Sequence, residues 1–519
     1  MDRDVSTPPV ISRLTYSSRS QIEDGRSHCQ RDRYLTYHAG PNGYGLVRKG
    51  QSIPLATGSM GHTAMAPIMR WCQDHDGEIQ QALALPEAQG PGPSFLVVPR
   101  EVIRAAIVEG QEEYDRAVVA RGFAYAADEP ETQYLIKEQK ALIAGLVWAW
   151  TIEVLPEILR HSRILEVEND QALVYDCTCG LGAFVGTHTD HVERACEGKA
   201  FANKPDFITQ NRTTEELGYH EFKTSGSDSP TFRDQWEIKM QMITATVDVE
   251  LRHGKPVVEI WIHGLLKGRR EQDYNAVTRR RDAGTYKQSS PACYGYVKPA
   301  VPPMEPADIR PGREWWDPFE QRMRAVGKNH QKTPMWEIPL PVPEGWTQEE
   351  AWSEFMGAEA RRKMLAIVGP LTRQDQMLQG FWEETKAEED RWIGGLWDLH
   401  DLAQQLIAEA ADTPGGVPED YWRTVWADER FQRALNQWFP RSYACRRYGN
   451  RYKCQHENTC FYREGWDHPL AASVLDQEGT GMFILRRPHH QQELDQAVAR
   501  GLLPPDDEGL IDDAEEPGW

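Results

Sequence analysis

An acidic residue and a lysine lie two positions apart in a segment that alternates like a β-strand. The segment is KPDFITQNRTTEELGYHEFKTSG, residues 204–226, and the pair is Glu221 and Lys223. Side chains two positions apart on a strand leave the same face of a sheet. The pair could form a plain salt bridge, or it could join Asp206 in a metal-bound hydrolytic centre.

The second interpretation has a definite chemistry. A phosphodiester is anionic, so its hydrolysis needs positive charge near the phosphate and an activated water, and a divalent ion supplies both. Mg²⁺ binds few protein oxygens and keeps several waters. Asp206, Glu221 and the backbone carbonyl of Phe222 are therefore the candidate ligands, and Lys223 would orient or polarise the attacking water. Other Glu-x-Lys triplets in the chain lie in helical patterns, so the strand setting favours this one.

The spacing of apolar residues predicts the elements that must position these groups. Spacings of three and four predict helices, and alternation predicts strands. The predicted helices cover 17–38, 55–72, 132–160 and 232–251, and the predicted strands cover 164–170, 172–179, 205–209, 218–224 and 256–266. A Pro-rich segment at 299–313 predicts a linker, and the Trp-rich region after it is predicted to be mostly helical.

Composition is typical of a soluble globular protein. The 519 residues are 40% hydrophobic, and the mean hydropathy is −0.64. We find no apolar run of transmembrane length and no signal-peptide core, which predicts a cytoplasmic location. In a reducing compartment, nine cysteines predict free thiols or metal ligands rather than a disulfide framework. Cys177 and Cys179 alternate on a predicted strand, and we expect them to be structural.

Basic residues cluster in three segments, LLKGRR, TRRR and CRRYGNRYKC, although the net charge is −21. Binding of nucleic acid depends on local patches rather than on net charge. Arg269, Arg270, Arg279 and Arg280 are therefore candidate contacts to DNA phosphates. The alternative is that they form an ordinary solvated surface.

The segments PDFI and YHEFKT resemble the signature of the PD-(D/E)XK nuclease superfamily, and the surrounding motifs resemble its RecB-like branch. In that branch a Gly-x-x-x-His helix precedes the signature, and Gly58 and His62 match it. A Gln-bearing helix follows the signature, and Gln241 matches it, although Ala245 stands where the pattern has Tyr. Gln235 is the other candidate for this glutamine.

The resemblance implies a site and a reaction. His62 would join Asp206, Glu221 and the Phe222 carbonyl in binding Mg²⁺ or Mn²⁺, and Lys223 and Gln241 would complete the catalytic centre. Glu168 matches an acidic residue that often precedes the metal-binding Asp, although an exposed strand glutamate explains it equally well. The implied activity is hydrolysis of DNA phosphodiester bonds.

The cysteines suggest a second cofactor. Alone, Cys445, Cys454 and Cys460 could be part of a zinc site with His456, or they could be unrelated buried thiols. The N-terminal segment SSRSQIEDGRSHCQRDRYLTYH resembles the opening of RecB-like nucleases that carry an iron–sulfur cluster, including AddB-type and CRISPR-associated ones. Those proteins have one Cys before the nuclease motifs and three after. The resemblance therefore implies a [4Fe–4S] cluster on Cys29 and the other three cysteines, although the first gap is longer here than in the usual pattern.

We therefore predict an α/β fold with a PD-(D/E)XK restriction-endonuclease-like core, in which a mixed central sheet is flanked by helices, and a mostly helical C-terminal region. The predicted function is that of a Mg²⁺- or Mn²⁺-dependent DNA nuclease, an exonuclease acting on single strands or ends. Alternatives are an endonuclease on branched or restricted DNA and a non-catalytic, zinc-containing DNA-binding protein. The resemblance is closest to phage and prophage proteins, which implies a role in recombination beside a strand-annealing protein. The predicted segments are an N-terminal cysteine segment at 1–40, the nuclease core at 41–310, a helical insertion at 311–437, a cysteine segment at 438–465 and an acidic tail at 466–519.

Overall fold

A computed structural model describes most of the N-terminal half of the chain and parts of the C-terminal half. The described residues are 13–18, 20–22, 29–39, 45–48, 53–85, 96–121, 130–181, 190–191, 194, 196–226, 228–266, 314–317, 322–325, 361–362, 364–372, 375–411, 425–441 and 483–486.

These residues form helices and strands in mixed order. The helices are α1 Gln30–Tyr37, α2 Ile53–Asp74, α3 Asp76–Leu83, α4 Arg100–Arg121, α5 Pro130–Glu153, α6 Leu155–His161, α7 Pro230–Asp234, α8 Met240–His253, α9 Asp375–Ala411 and α10 Glu429–Trp438, and a 3₁₀ turn covers Gln235–Ile238. The strands are β1 Arg13–Ser18, β2 Leu46–Arg48, β3 Ser162–Val167, β4 Gln171–Cys177, β5 Glu197–Asn203, β6 Phe207–Asn211, β7 Leu217–Ser225, β8 Val257–Leu266, β9 Glu314–Asp317, β10 Arg322–Ala325, β11 Leu365–Thr372 and β12 Phe483–Leu485.

The central sheet has the strand order β11-β8-β7-β6-β3. Strands β7 and β8 run parallel, and the other neighbours run antiparallel. A parallel pair needs a crossover connection, and α8 supplies it. This helix ends at Gly254, whose backbone has φ of 62° and whose N–H donates to the Glu250 carbonyl. Glycine adopts this left-handed conformation without the clash of a Cβ, so the chain turns directly into β8.

Helices cover both faces of this sheet. Phe207, Phe222 and Leu265 point to one face and pack in a cluster with buried residues of α2, α4 and α5. Ile208 and Tyr219 point to the other face and pack against α7, the 3₁₀ turn and α8. Alternate residues of a strand point to opposite faces, so β6 and β7, which are almost wholly buried, contribute to both clusters. The mixed α/β fold predicted from the sequence is confirmed.

A second sheet has the order β1-β5-β4, with β1 parallel to β5 and β4 antiparallel to it. Strand β5 leads through Lys204 and Pro205 directly to Asp206. The position of Asp206 is therefore tied to both sheets, since it stands between the last residue of β5 and the first of β6.

The structure corrects the predicted helix at 17–38. Ser17 and Ser18 are the last residues of β1, whereas residues 20–22 are helical and α1 covers Gln30–Tyr37. The segment RLTYSS pairs with β5. Ser18, its last residue, still has the predicted capping contact, because its hydroxyl oxygen accepts a hydrogen bond of 3.4 Å from the Gln21 N–H. The predicted helices at 55–72 and 132–160 are present as α2 and as α5 with α6.

The region 311–437 is not wholly helical. It contains α9 and α10, but β11 pairs antiparallel with β8 and forms an edge of the central sheet. Ala366, the second residue of β11, is fully buried. A strand from a region distant in sequence therefore belongs to the same core, because the edge of β8 needs a hydrogen-bonding partner.

Within the described residues, one helical segment, Leu142–His161, is long and apolar enough to cross a membrane by length and composition alone. This finding differs from the expectation that the chain has no apolar run of transmembrane length. Inside the protein, 72% of its most apolar window is buried, and Trp148 and Trp150 are packed in the core beneath the sheet. The segment therefore has the surroundings of a core helix.

Candidate functional site

The residues singled out by the sequence meet where β7 lies between α2 and α8. Glu221 and Lys223 point to the α8 face of the central sheet, and the Phe222 side chain points to the α2 face. Asp206 precedes β6, the neighbour of β7. The structure thus brings His62, Asp206, Glu221, Phe222, Lys223 and Gln241 to one place from three elements and a connecting turn.

Asp206 links α2 to β7. Its Oδ1 lies 2.9 Å from Nδ1 of His62, and its Oδ2 accepts a hydrogen bond of 2.5 Å from the Phe222 backbone N–H. His62 is 7% exposed, and its ring meets the Phe222 ring edge to face with centroids 6.2 Å apart. The carboxylate is therefore held by two groups and keeps one fixed orientation. Gly58 lies one turn before His62 on α2 and is buried.

Glu221 is the most enclosed acid of the site, with 3% exposure. Its Oε1 accepts a 2.7 Å hydrogen bond from Lys223 Nζ and a further hydrogen bond from the Gln241 amide. Its Oε2 accepts a hydrogen bond from the Tyr219 hydroxyl. Three donors therefore orient one carboxylate, and Gln241 is brought to it by the crossover helix.

The site has two carboxyl groups, those of Asp206 and Glu221, and one ammonium group, that of Lys223. Burial raises the pKa of Glu221, and the nearby Asp206 carboxylate raises it further, while Lys223 opposes both. The Lys223 ammonium group pairs with Glu221, whereas Asp206 faces the His62 ring. Buried like charges destabilise each other, and a divalent cation between them would relieve this repulsion. The donor set of two carboxylates, a histidine ring and backbone oxygen fits Mg²⁺ or Mn²⁺.

Two other candidates have different partners. The Glu168 backbone N–H donates to the Asp206 carbonyl at 2.9 Å, but its carboxylate pairs with Arg70 at 3.3 Å and with Lys204 at 3.7 Å. Gln235, the alternative glutamine, donates to the Phe232 carbonyl at 3.2 Å. Of the two glutamines, Gln241 is therefore the one that contacts a carboxylate of the site.

A series of hydrogen bonds between buried side chains lies next to the candidate site. The Trp150 indole N–H donates to His263 Nδ1 at 3.2 Å, His263 Nε2 lies 3.0 Å from His220 Nδ1, and His220 Nε2 lies 2.9 Å from the Thr209 hydroxyl. An indole nitrogen only donates, so His263 must carry its proton on Nε2 and donate to His220, which then donates to Thr209. Burial lowers the pKa of His263 to about 3, and it holds the pKa of His220 well below its usual value. Both rings are neutral.

The N-terminal cysteine, Cys29, lies beside the residues that follow α10. Cys29 Sγ is 3.8 Å from the Pro440 carbonyl oxygen, and Arg31 Nε donates to the Phe439 carbonyl at 2.9 Å. The Tyr34 and Phe439 rings stack at 5.1 Å. Pro440 is five positions before Cys445 in the sequence, so the start of α1 lies against the segment that leads to Cys445. Cys445, Cys454, Cys460 and the arginines Arg269, Arg270, Arg279 and Arg280 lie outside the described residues.

The structure also brings together a group of cysteine and histidine side chains that the sequence analysis does not predict. Cys177, Cys179, His191 and Cys196 offer ligand atoms that all lie within 4.8 Å of one another, and they could hold a metal ion. From the sequence, Cys177 and Cys179 are predicted only to be structural thiols. The available signal was the combination of Cys-x-Cys with His-x₄-Cys, since zinc ligands often occur in closely spaced pairs.

A scan against models of known protein families and a search of curated proteins both found no match to this chain. The nuclease family is therefore known here only by the resemblance of its motifs.

Proposed function

We propose that this protein is a metal-dependent deoxyribonuclease that hydrolyses phosphodiester bonds of DNA. The observation that carries the proposal is the meeting of Asp206, Glu221 and Lys223 with His62 and Gln241. Three separate parts of the sequence supply these residues, yet they form two adjoining groups of hydrogen bonds, His62 with Asp206 and both Lys223 and Gln241 with Glu221. The Phe222 backbone N–H, which donates to Asp206, connects the first group to the strand that carries the second. A plain salt bridge between Glu221 and Lys223 would not require an aspartate, a histidine and an amide beside it.

The residues of the site have separable roles in this proposal. A bound Mg²⁺ or Mn²⁺ would supply positive charge at the phosphate and lower the pKa of a water molecule. Asp206, Glu221 and the Phe222 carbonyl would hold the ion. His62, whose Nδ1 faces Asp206, could bind through its other ring nitrogen, an arrangement in which a carboxylate orients a metal-binding histidine.

Lys223 and Gln241 act on the orientation of the reacting groups. Lys223 Nζ lies beside Glu221 Oε1, so its ammonium group can position a water molecule or a phosphate oxygen next to the acid. The Gln241 amide and the Tyr219 hydroxyl direct the two oxygens of Glu221. Positioning groups of this kind contribute to rate because the reacting atoms are held close to their transition-state geometry.

The finer features of the proposal follow the resemblance. The PD-(D/E)XK core, the exonuclease mode, the role in phage-type recombination and the strand-annealing partner are parts of this proposal, as is a cytoplasmic location. An endonuclease on branched or restricted DNA is the nearest alternative. The group of three cysteines and one histidine favours a second alternative, a zinc-containing DNA-binding protein without catalysis.

A cleavage assay separates these possibilities. End-labelled single- and double-stranded DNA would be incubated with the full chain in Mg²⁺ or Mn²⁺ and in a chelator. We expect loss of label from the ends only with metal. Glu221→Gln and Asp206→Asn, which keep the shape of each side chain, should lower the rate about 100-fold or more, since metal-ion catalysis is worth several kcal/mol.

The matched control is Glu216→Gln, an exposed glutamate just before the same strand, which should cleave at the wild-type rate. Internal fragments would indicate the endonuclease. DNA binding without cleavage in any divalent ion would support the non-catalytic alternative. Near-normal cleavage by Glu221→Gln would refute the assignment of this site.

We also propose that Cys29, Cys445, Cys454 and Cys460 hold a [4Fe–4S] cluster. The contact of Cys29 with Pro440 supports this, because it brings the first cysteine near the segment that carries the other three. Four thiolates are the usual ligand set of such a cluster. Protein purified without oxygen should be brown, and Cys29→Ser should lose the colour and the iron. A colourless wild-type preparation would contradict the cluster.

A further inference from the structure

Three thiols and an imidazole converge at one end of the second sheet. Cys177 is the last residue of β4, Cys179 lies two residues further on, and Cys196 immediately precedes β5. Cys179 Sγ is 3.8 Å from Cys177 Sγ and 3.2 Å from His191 Nδ1. None of these cysteines forms a disulfide, although their sulfur atoms lie close together.

The backbone around these residues is well ordered by hydrogen bonds. The Thr178 N–H and hydroxyl both donate to the Glu197 carbonyl, at 3.0 and 2.8 Å, and the Glu197 N–H donates back to the Thr178 hydroxyl at 3.0 Å. The Cys196 N–H donates to the His191 carbonyl at 3.1 Å. His191 and Cys196 are fully buried. The sheet therefore places the four side chains before any ligand arrives.

The spacing of the ligand atoms matches a single tetrahedral ion. Zinc binds thiolate sulfur at about 2.3 Å and histidine nitrogen at about 2.0 Å, so two sulfurs on one ion stand about 3.8 Å apart. The measured 3.8 Å between Cys177 and Cys179 agrees with this value. An iron–sulfur cube holds its thiolates on separate iron atoms, farther apart than ligands that share one ion, and it takes four cysteines rather than three and a histidine.

We propose that Cys177, Cys179, His191 and Cys196 form a structural zinc site. The set of three cysteines and one histidine is complete for four-coordinate zinc and leaves no open position for a substrate. The site is separate from the candidate nuclease centre, because β5 runs for seven residues between Cys196 and the turn that carries Asp206, a length of about 20 Å. The proposal therefore does not depend on nuclease activity.

The zinc would close the long connection between β4 and β5. These strands are antiparallel neighbours, but residues 178–196 separate them in the sequence, whereas a hairpin usually needs only a few residues. An ion bound by both ends of this connection fixes the start of β5. Lys199 of β5 in turn contacts Asp390 of α9 at 2.9 Å, so the site also stabilises the packing of the C-terminal region on this sheet.

Metal analysis of the full chain tests the proposal. Protein purified anaerobically would be assayed for zinc and iron, and we expect one zinc per chain. Cys177→Ser and His191→Ala should each lose the zinc, whereas Cys72→Ser, which removes a buried thiol on α2 away from the group, should retain it. Cys29→Ser should also retain zinc, which separates this site from the proposed iron–sulfur cluster.

X-ray absorption at the zinc edge of the wild-type protein keeps the test valid if a variant fails to fold. The expected first shell contains three sulfurs at about 2.3 Å and one nitrogen at about 2.0 Å. A shell of oxygens, or wild-type protein that binds no zinc when zinc is supplied, would overturn the proposal. Equal zinc loss in Cys72→Ser and Cys177→Ser would do so as well. Loss of iron and sulfide, rather than zinc, in Cys177→Ser would show that these residues hold a cluster instead.

Discussion

Replacement of His263 by Gln should make the core around the candidate site less sensitive to acid. His263 is 1% exposed and lies between the Trp150 indole and His220. Both of its ring nitrogens are already used, one accepting and one donating, so a second proton would point at the Trp150 N–H. Glutamine keeps an amide oxygen and an amide nitrogen but does not titrate near neutral pH.

The direction follows from the two protonation states. Burial lowers the pKa of His263 to about 3 in the folded protein, although the Asp206 carboxylate opposes the shift, whereas an unfolded histidine titrates near about 6.5. The contribution to stability is complete above the unfolded value and is lost as pH falls below it. Between pH 7.5 and 5 the unfolded chain gains a proton that the folded one does not, which costs about 2 kcal/mol. His220, whose pKa is also lowered by burial, acts in the same direction.

The assay is hydrogen exchange of the β8 amides at both pH values, converted to opening free energies. Buried acids with raised pKa, such as Glu221 and Asp248, oppose the trend, so the informative quantity is the difference between proteins. The wild type should lose about 2 kcal/mol more than His263→Gln on going to pH 5. His161→Gln, which removes an exposed histidine, should match the wild type. Equal losses in the wild type and His263→Gln would show that the ring is not held neutral.

Two further predictions concern the ion pair between α1 and α9 and the candidate DNA contacts. Arg33 makes a bidentate pair with Glu389, in which both bonds are 2.6 Å long and both side chains are buried. Glu389→Gln should therefore lower the free energy of unfolding, measured by chemical denaturation, by about 3 kcal/mol. An unchanged denaturation midpoint would contradict a structural role for this pair. If Arg269 and Arg270 contact DNA phosphates, replacing both with Ala should weaken DNA binding and reduce the slope of log affinity against log salt concentration by about two. An unchanged slope in a salt titration would show that the two arginines belong to the solvated surface.

Local patterns were sufficient to predict several elements. Helix α2 and strands β3, β4, β6, β7 and β8 follow periodicities of apolar residues that depend only on which faces are buried. The nearness of Glu221 and Lys223 also follows from the sequence, because alternate residues of one strand share a face whatever packs on it. The helix prediction was wrong at Ser17 and Ser18, which end β1, because the partner strand β5 lies far away in the sequence.

Contacts between distant segments depended on the tertiary structure. His62 and Asp206 are separated by 144 positions, and their contact depends on how α2 packs against the sheet. Gln241 reaches Glu221 because the crossover from β7 to β8 returns α8 over the same face.

The cysteine group depends on tertiary structure in the same way. Each cysteine is visible in the sequence, but the pairing of β4 with β5 brings their sulfurs together. Periodicity reports which side of an element is buried, whereas a site needs the relative positions of several elements, and those positions are set by the packing of the whole core.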